Sequence, residues 1–346
     1  MGKATTLKDI ASIAGVSVAT VSLALNGKPE GRVSAEIVER IEEIARKLNY
    51  QPDVNAQRLK GKRLPLVGLL VPNITNPFYS EMTKGIMDAG RELGCYVVLF
   101  NADNAHESEA IAMEVFISMR VAGAIICGIC DPGTEEEKTL ETLKKTGIQV
   151  LMIDRSEWNG HWPRIMIDNF QAAYDSVTYL YKQGHRKIAL IATAWDLNII
   201  NDRERGYKKA MQDLGLDDSC IYRISTYQLT GMGAETVAEE VLVNLDKQTA
   251  VLVIPGDTLA IECILYWKNH GVQIPEELSV VGFDNIYMCQ ITDPPLTTVD
   301  QPKYEMGRGA MELLVQLIDE GQNRDCRKVY KHRIIERGTV KKINQG

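Results

Sequence analysis

No apolar run in this 346-residue chain approaches the roughly 18 residues that a membrane-crossing helix requires. The first twenty residues are polar and patterned, unlike the basic start and apolar stretch of a secretory leader. The chain is therefore expected to work in the cytoplasm and to have no membrane partner. The seven cysteines, Cys95, Cys127, Cys130, Cys220, Cys263, Cys289 and Cys326, are an odd and scattered set, which excludes a disulfide framework. Cys127 and Cys130 form a CxxC, but it closes the buried-looking run from Ala122 to Cys130 and no second pair stands at zinc spacing. The five histidines are isolated. GxSxG, Walker A and HExxH are absent, and the GxG at Gly231 lacks its third glycine after a strand. No enzyme, cofactor or metal site is expected.

The charge is unevenly divided. Overall it is −7, which argues against a chain whose whole surface binds nucleic acid. Residues 1–63 carry 11 Lys plus Arg against 7 Asp plus Glu, and the remainder 28 against 39, so a basic module is joined to an acidic body. In the basic module, Thr6 and Asp9 make a capping box that opens a helix, with Leu7, Ile10, Ala11 and Ala14 on one face. Gly15 permits the left-handed residue that ends it, and Ser17 with Thr20 starts a second helix almost at once. Two short helices around a tight glycine turn make a helix-turn-helix. Val21 and Leu25 are expected to face the core, turning Val18, Ala19, Ser22 and Leu23 outward. Short hydroxyls at that helix start suit phosphate, and the apolar residues suit thymine methyl groups in the major groove. Asn26 and Gly27 stop the helix. A third helix, capped by Ser34, aligns Ile37, Val38, Ile41, Ile44, Ala45 and Leu48 to cover the other two.

From Leu66 onward, short apolar runs alternate with amphipathic segments of helix length, the pattern of parallel βαβ units. Strands are expected at 66–71, 96–100, 124–127, 150–153, 188–191, near Tyr222, at 250–254 and at 279–282. Helices are expected at 79–93, 107–120, 135–146, 171–183, 202–214, 232–244 and 258–270. The repetition is of two similar α/β halves, each long enough for its own core.

The stretch "TLKDIASIAGVSVATVSLALNG" from Thr6 to Gly27, followed by "NYQPDVNAQRLKG" from Asn49, resembles the headpiece of the LacI/GalR family of bacterial transcriptional repressors over about sixty residues. The body, residues 64–338, resembles the periplasmic sugar-binding fold that this family uses as a sensor. The resemblance implies an α/β protein with an all-α helix-turn-helix headpiece (1–50), a hinge helix and linker (51–63) and an effector-binding core (64–346) of two doubly wound parallel-sheet lobes. The first lobe is expected at about 64–168 and 298–328 and the second at about 169–297 and 329–340, with crossings near Asp168, Thr297 and Lys328. It implies a homodimer reading near-palindromic double-stranded operator DNA. With no leucine heptad tail after Gly338, a dimer is expected over a tetramer. Contacts to DNA are expected from Thr6, Ser17, Val18, Ala19, Thr20, Ser22, Leu23 and Asn26, and from Asn55, Ala56 and Leu59 of the hinge helix. Alone, a helix of that length is below the roughly 12–15 residues needed for marginal stability. Leu59 matches the family's minor-groove wedge, or else packs against the core. Asp53 stands where the family more often has asparagine.

Ligands of open parallel sheets sit beyond the carboxyl ends of strands, and the resemblance places a small carbohydrate there. Asn76, Phe78 and Tyr79 follow the first strand, where rings stack on a sugar face and the amide meets a hydroxyl; Asn-Pro also suits a plain helix start. Asp154 and Arg155 match hydroxyl-chelating residues, or form a surface ion pair. Arg203 matches an arginine that enters the cleft, with Gly206 packing closely behind it. Tyr227 matches an opposing aromatic ring, Asp284 in "VVGFDN" a ligand carboxylate, and Gln301 in "PPLTTVDQP" a hinge-side contact. Gly256 in "IPGD" replaces the family's frequent asparagine, which is expected to leave room for a larger or differently oriented ligand, and Asp257 is expected to cap the next helix. Trp158, Trp162 and Trp195 either widen the cleft or pack at the surface. The resemblance implies a carbohydrate-responsive repressor; a phosphocarrier-protein corepressor or a non-sugar effector is the alternative, and a periplasmic-type receptor a further one.

Overall fold

The computed structural model describes residues 5–25, 33–48, 66–127, 135–154, 162–194, 197–225, 230–247, 249–321 and 326–343. The chain forms two compact units, Met1–Leu64 and Pro65–Gly346. Asn26, the hinge residues Asn55, Ala56 and Leu59, and Cys130, Arg155, Trp158, Trp195 and Tyr227 lie outside the described residues.

In the first unit, helices α1 (Leu7–Ala14), α2 (Val18–Leu25) and α3 (Ala35–Lys47) form a tripod. The capping box closes as its spacing demands: the Thr6 backbone N–H donates to Asp9 Oδ2 at 2.7 Å, and the Asp9 N–H returns to Thr6 Oγ1 at 3.4 Å. Gly15 ends α1 at φ 67°, a conformation that a side chain would strain although nothing stands near its missing Cβ. Ser17 Oγ accepts from the Thr20 N–H at 3.1 Å and opens α2. Ile10, Ala11, Ala14, Val21, Ala24, Ile41 and Ala45 are the buried centre, flanked by Leu7, Val16, Leu25, Ile37, Val38, Ile44 and Leu48. Ser17, Val18 and Ala19 are exposed, Thr20 and Leu23 half-buried. Ser22 departs from expectation: only 7% exposed, it sits beside Val21 on the flank turned toward the core.

The second unit contains two six-stranded sheets. The first has the order β11-β5-β4-β3-β1-β2, where β1 is Leu66–Val71, β2 Tyr96–Asn101, β3 Gly123–Ile126, β4 Gln149–Ile153, β5 Arg164–Ile167 and β11 Arg327–Tyr330. The second has the order β12-β10-β9-β8-β6-β7, with β6 Ile188–Thr193, β7 Ile221–Ile224, β8 Ala250–Val253, β9 Ser279–Asp284, β10 Thr297–Asp300 and β12 Arg333–Ile335. All pairings are parallel except β10 with β12. In each sheet the order reverses beside the first strand of the half, β1 or β6, which is where such sheets open a crevice. Helices cover both faces: α4 (Pro77–Glu92), α5 (His106–Met119), α6 (Glu135–Lys145) and α11 (Lys303–Glu320) in the first lobe, and α7 (Asn169–Lys182), α8 (Asn198–Asp213), α9 (Met232–Val243) and α10 (Asp257–Asn269) in the second. No single helix among the described residues is long and apolar enough to cross a membrane.

The chain leaves the first sheet after Ile167, returns after Asp300 and crosses again between Tyr330 and Arg333. The second and third crossings lie slightly beyond the expected Thr297 and Lys328. Thr298, Val299 and Asp300 are still paired to Gly282, Phe283 and Asp284, and Val329 and Tyr330 to Met166 and Ile167.

The helix α11 that packs in the first lobe carries Gly307 and Gly309, which are contact points in space. A Cβ at Gly307 would stand 2.1 Å from Met82 O, and one at Gly85 2.1 Å from Tyr304 O, so α4 and α11 touch backbone to backbone. In the second lobe Gly206 does the same against Phe170 O, the close packing expected of it. Alanine is the better helix former by about 0.8–1 kcal/mol, yet overpacking at such a contact costs about 1–3 kcal/mol. Gly307→Ala is therefore expected to shift the urea midpoint downward; an unchanged or raised midpoint would show that the crossing is loose.

Candidate functional site between the lobes

The carboxyl ends of both sheets face one another across a cavity of about 560 Å³. Its first-lobe wall is mostly polar: Asn73, Thr75, Asn76 and Tyr79 after β1, with Pro72 and Pro77 beside them, and Asp103 and Asn104 after β2. Its second-lobe wall is largely apolar, with Leu197, Ile199, Ile200, Ile261, Ile286 and Met288 around Thr193, Thr230, Thr258 and Glu262. Asn76 lines the cavity and caps α4, its Oδ1 accepting from the Phe78 N–H at 3.0 Å. Phe78 does not line the cavity; it is 3% exposed and meets the Tyr79 ring edge-on at 5.0 Å.

Among the described residues the other expected contacts, Asp154, Arg203, Asp284 and Gln301, form a buried cluster. Arg203 in α8 is 2% exposed; its Nε donates to Asn169 Oδ1 and its Nη1 to Ile254 O, both at 2.7 Å, and its guanidinium lies 3.7 Å from the Phe283 ring centroid. Burial pulls the Arg203 pKa down, and the charges of Asp284, Asp154 and then Tyr79 oppose that shift. Asp154, from the first lobe, adopts φ 56° at the end of β4 and is 4% exposed. Asp284, 6% exposed, accepts from Gln301 Nε2 at 2.6 Å, and Gln301 is itself fully buried. Burial raises the Asp284 pKa above the ordinary carboxylate value, with Arg203 and Lys303 acting against it. Among the described residues Gln301 Oε1 and Asn169 Nδ2 have no hydrogen-bond partner.

Three expectations are corrected here. Gly256 does not open room for a ligand: a Cβ on it would stand 2.8 Å from Asp284 Oδ2, so the Asp284 carboxylate occupies the space of the missing side chain. Asp257 does not cap α10, whose N-cap is Gly256; its carboxylate accepts from Ile286 N–H and Cys289 Sγ at 3.0 Å and from Thr298 Oγ1 at 2.6 Å. Burial first, and then the Asp284 charge, push its pKa up. Trp162 neither lines the cleft nor lies on the surface, but packs into the first-lobe core at 4% exposure under Lys144. Sequence reasoning also missed Asn169 and the role of Asp257. Gly282 held the signal for the latter, because its Cβ would stand 2.1 Å from Asp257 Oδ1.

The model of the bacterial regulatory proteins of the lacI family matches residues 6–53, and that of the periplasmic binding protein-like domain matches residues 177–340. The HTH-type transcriptional regulator RegA of Clostridium saccharobutylicum is 31% identical over 96% of this chain and 98% of its own length. The chain belongs to the lacI family of bacterial regulatory proteins. The HTH-type transcriptional repressor CytR of Escherichia coli K12 is 32% identical over 92% of this chain and 91% of its own. The crystal structure of the Lac repressor dimer bound to operator and the anti-inducer ONPF superposes with a TM-score of 0.84 at 25% identity, covering 98% of this chain and all of that one. The protein is thus a DNA-binding transcriptional regulator of the repressor type, and its relatives are regulators rather than enzymes.

Proposed function

We propose that this regulator represses carbohydrate-utilisation genes from the cytoplasm as a homodimer on a near-palindromic operator, and that a small neutral carbohydrate between its lobes sets its operator affinity. The observation that carries the effector reading is the cavity at the strand ends of both sheets, polar on one wall and apolar on the other, as a sugar's hydroxyl edge and C–H face require. Asp103 and Glu262 are its charged lining residues, with no Lys, Arg or His among the described lining residues, and this favours a neutral ligand over a phosphorylated one. Asn76 and Tyr79 are the direct contacts; Asp154, Arg203, Asp284 and Gln301 become ligand contacts when the lobes part and bonds within the protein, such as that of Gln301 to Asp284, are exchanged for hydroxyls. Arg155 and Tyr227 complete the set by their places after β4 and β7.

On the DNA side, Val18 and Ala19 present the exposed face of α2 to base edges, while Thr6, Ser17 and Thr20 hold phosphates. Leu23 and Asn26 flank them, Ser22 acts from its covered position, and the hinge residues Asn55, Ala56 and Leu59 enter the minor groove. Ala19→Gln adds an amide that pairs with adenine in the major groove, worth about 1–3 kcal/mol of discrimination. Selection of bound sequences from random DNA is expected to return a motif changed at one symmetric pair of positions. An unchanged motif would remove α2 as the reading helix.

A further inference from the structure

We infer that Lys303 is a positioning residue that joins the ligand end of the second lobe to the helix pair of the first, and through it transmits the state of the cleft. The inference rests on the proposed function, since it says how occupancy of that cleft would leave the second lobe.

Lys303 is the first residue of α11 and only 3% exposed. A cation there faces the positive end of the helix dipole and loses its hydration, so helix stability does not account for it. An ammonium has three donors, and all three are used: Nζ donates to Asp284 O at 2.7 Å, Asn285 O at 3.1 Å and Gln301 O at 3.2 Å. Glu81 of α4 balances the charge at 3.7 Å from the first lobe, and Asp300 lies at 4.0 Å.

The acceptors add to the case. Asp284 and Asn285 stand at φ 119° and 53°, a left-handed pair without glycine, which is a conformation held only where surroundings over-determine it. Both carbonyls of this turn point at one ammonium anchored in the other lobe. The Asp284 side chain is in the buried cluster with Arg203 and Gln301, so its movement pulls on Lys303 directly. Beyond Lys303 the linkage is stiff: α11 touches α4 at Gly85 and Gly307, Tyr304 donates to Asp88 at 3.1 Å, and Arg308 grips Glu92 at 2.9 and 2.6 Å. The amino end of α4 carries Asn76 and Tyr79, so the linkage returns to the cavity wall.

The test is hydrogen exchange of the full chain, read by mass spectrometry on peptides from α4, in a double-mutant cycle. Asp284→Asn alone is expected to change α4 exchange at least about fivefold, as for residues in one network. In the Lys303→Met background, which keeps the stem and removes the donors, the same substitution is expected to change it less than about twofold. A merely structural lysine would lower the melting temperature and leave the Asp284→Asn effect on α4 intact, which overturns the inference. Glu81→Gln, at a half-exposed side chain, serves if Lys303→Met does not fold; it is expected at least to halve the coupling, and full coupling in it also overturns the inference. Operator binding by the unmutated protein is measured alongside with selected DNA. Its absence would sink the regulator reading without altering the exchange result.

Discussion

Arg203→Ala is expected to destabilise the two-lobed core by about 2–3 kcal/mol, the range for leaving buried acceptors without a charged donor. The substitution leaves Asn169 Oδ1 and Ile254 O without their donor and removes a positive charge that opposes the effect of burial on Asp284. It also empties the space over the Phe283 ring. An arginine that only enters the cleft, the role the family resemblance implies, would on removal cost the effector contact alone. Burial changes that expectation, because an arginine satisfied inside the fold holds the lobe together before any ligand arrives. Urea unfolding followed by core fluorescence reads the effect, and effector response is expected to disappear with it. A midpoint within experimental scatter of the unmutated protein would show that Arg203 is solvated and that the cluster is not a structural unit.

Asp257→Ala is expected to cost about 3 kcal/mol, since it leaves the Ile286 N–H and the Thr298 hydroxyl unanswered in a buried place. Its pH signature is as informative as its size. The folded pKa of Asp257 is raised by burial and by Asp284, so folding takes up a proton where the unfolded carboxylate would be ionised. Its contribution to stability is then fully present below the ordinary carboxylate pKa and is lost as pH rises through the raised folded value. Buried His185 has the opposite sign: burial lowers its pKa to about 4, so its contribution is lost as pH falls from the ordinary histidine value through that one. The stability difference between the unmutated protein and Asp257→Ala is therefore expected to widen as pH is lowered from 8 toward 5, with His185 cancelling because both proteins contain it. A difference that narrows over that interval would mean that Asp257 is held ionised by its donors.

The capping box at Thr6 and Asp9, the glycine turn and the alternating strands and helices were all legible because each depends on neighbours close in sequence. The strand β5 was not: four residues after Pro163 carry no period, and their partners are Met152 and Ile153 on one side and Arg327 to Tyr330 on the other. Helix α11 carries glycines whose reasons lie in distant segments, Met82 of α4 for Gly307 and Tyr330 of β11 for Gly309. The same limit governs the site. Strand ends located Asn76 and Tyr79 on the cavity wall, because topology alone puts them there. Whether Arg203, Asp284 and Gln301 face a ligand or the protein depends on groups brought from distant segments, and in this structure Gln301 answers Asp284 while Arg203 is answered by Asn169 and Ile254. Gly256 shows the point most plainly: the lost side chain reads as empty space, and the space belongs to Asp284.

Operator and effector, if they bias one equilibrium between lobe arrangements, must change each other's affinity by the same factor. The decisive measurement is calorimetric titration of the full-length protein with the neutral sugar that most raises its melting temperature, first alone and then saturated with operator DNA recovered by selection. The expected result is a change in sugar affinity between the two titrations, equal to the factor by which that sugar changes operator affinity in a gel shift. Identical sugar affinities with and without operator would contradict a cleft that controls DNA binding.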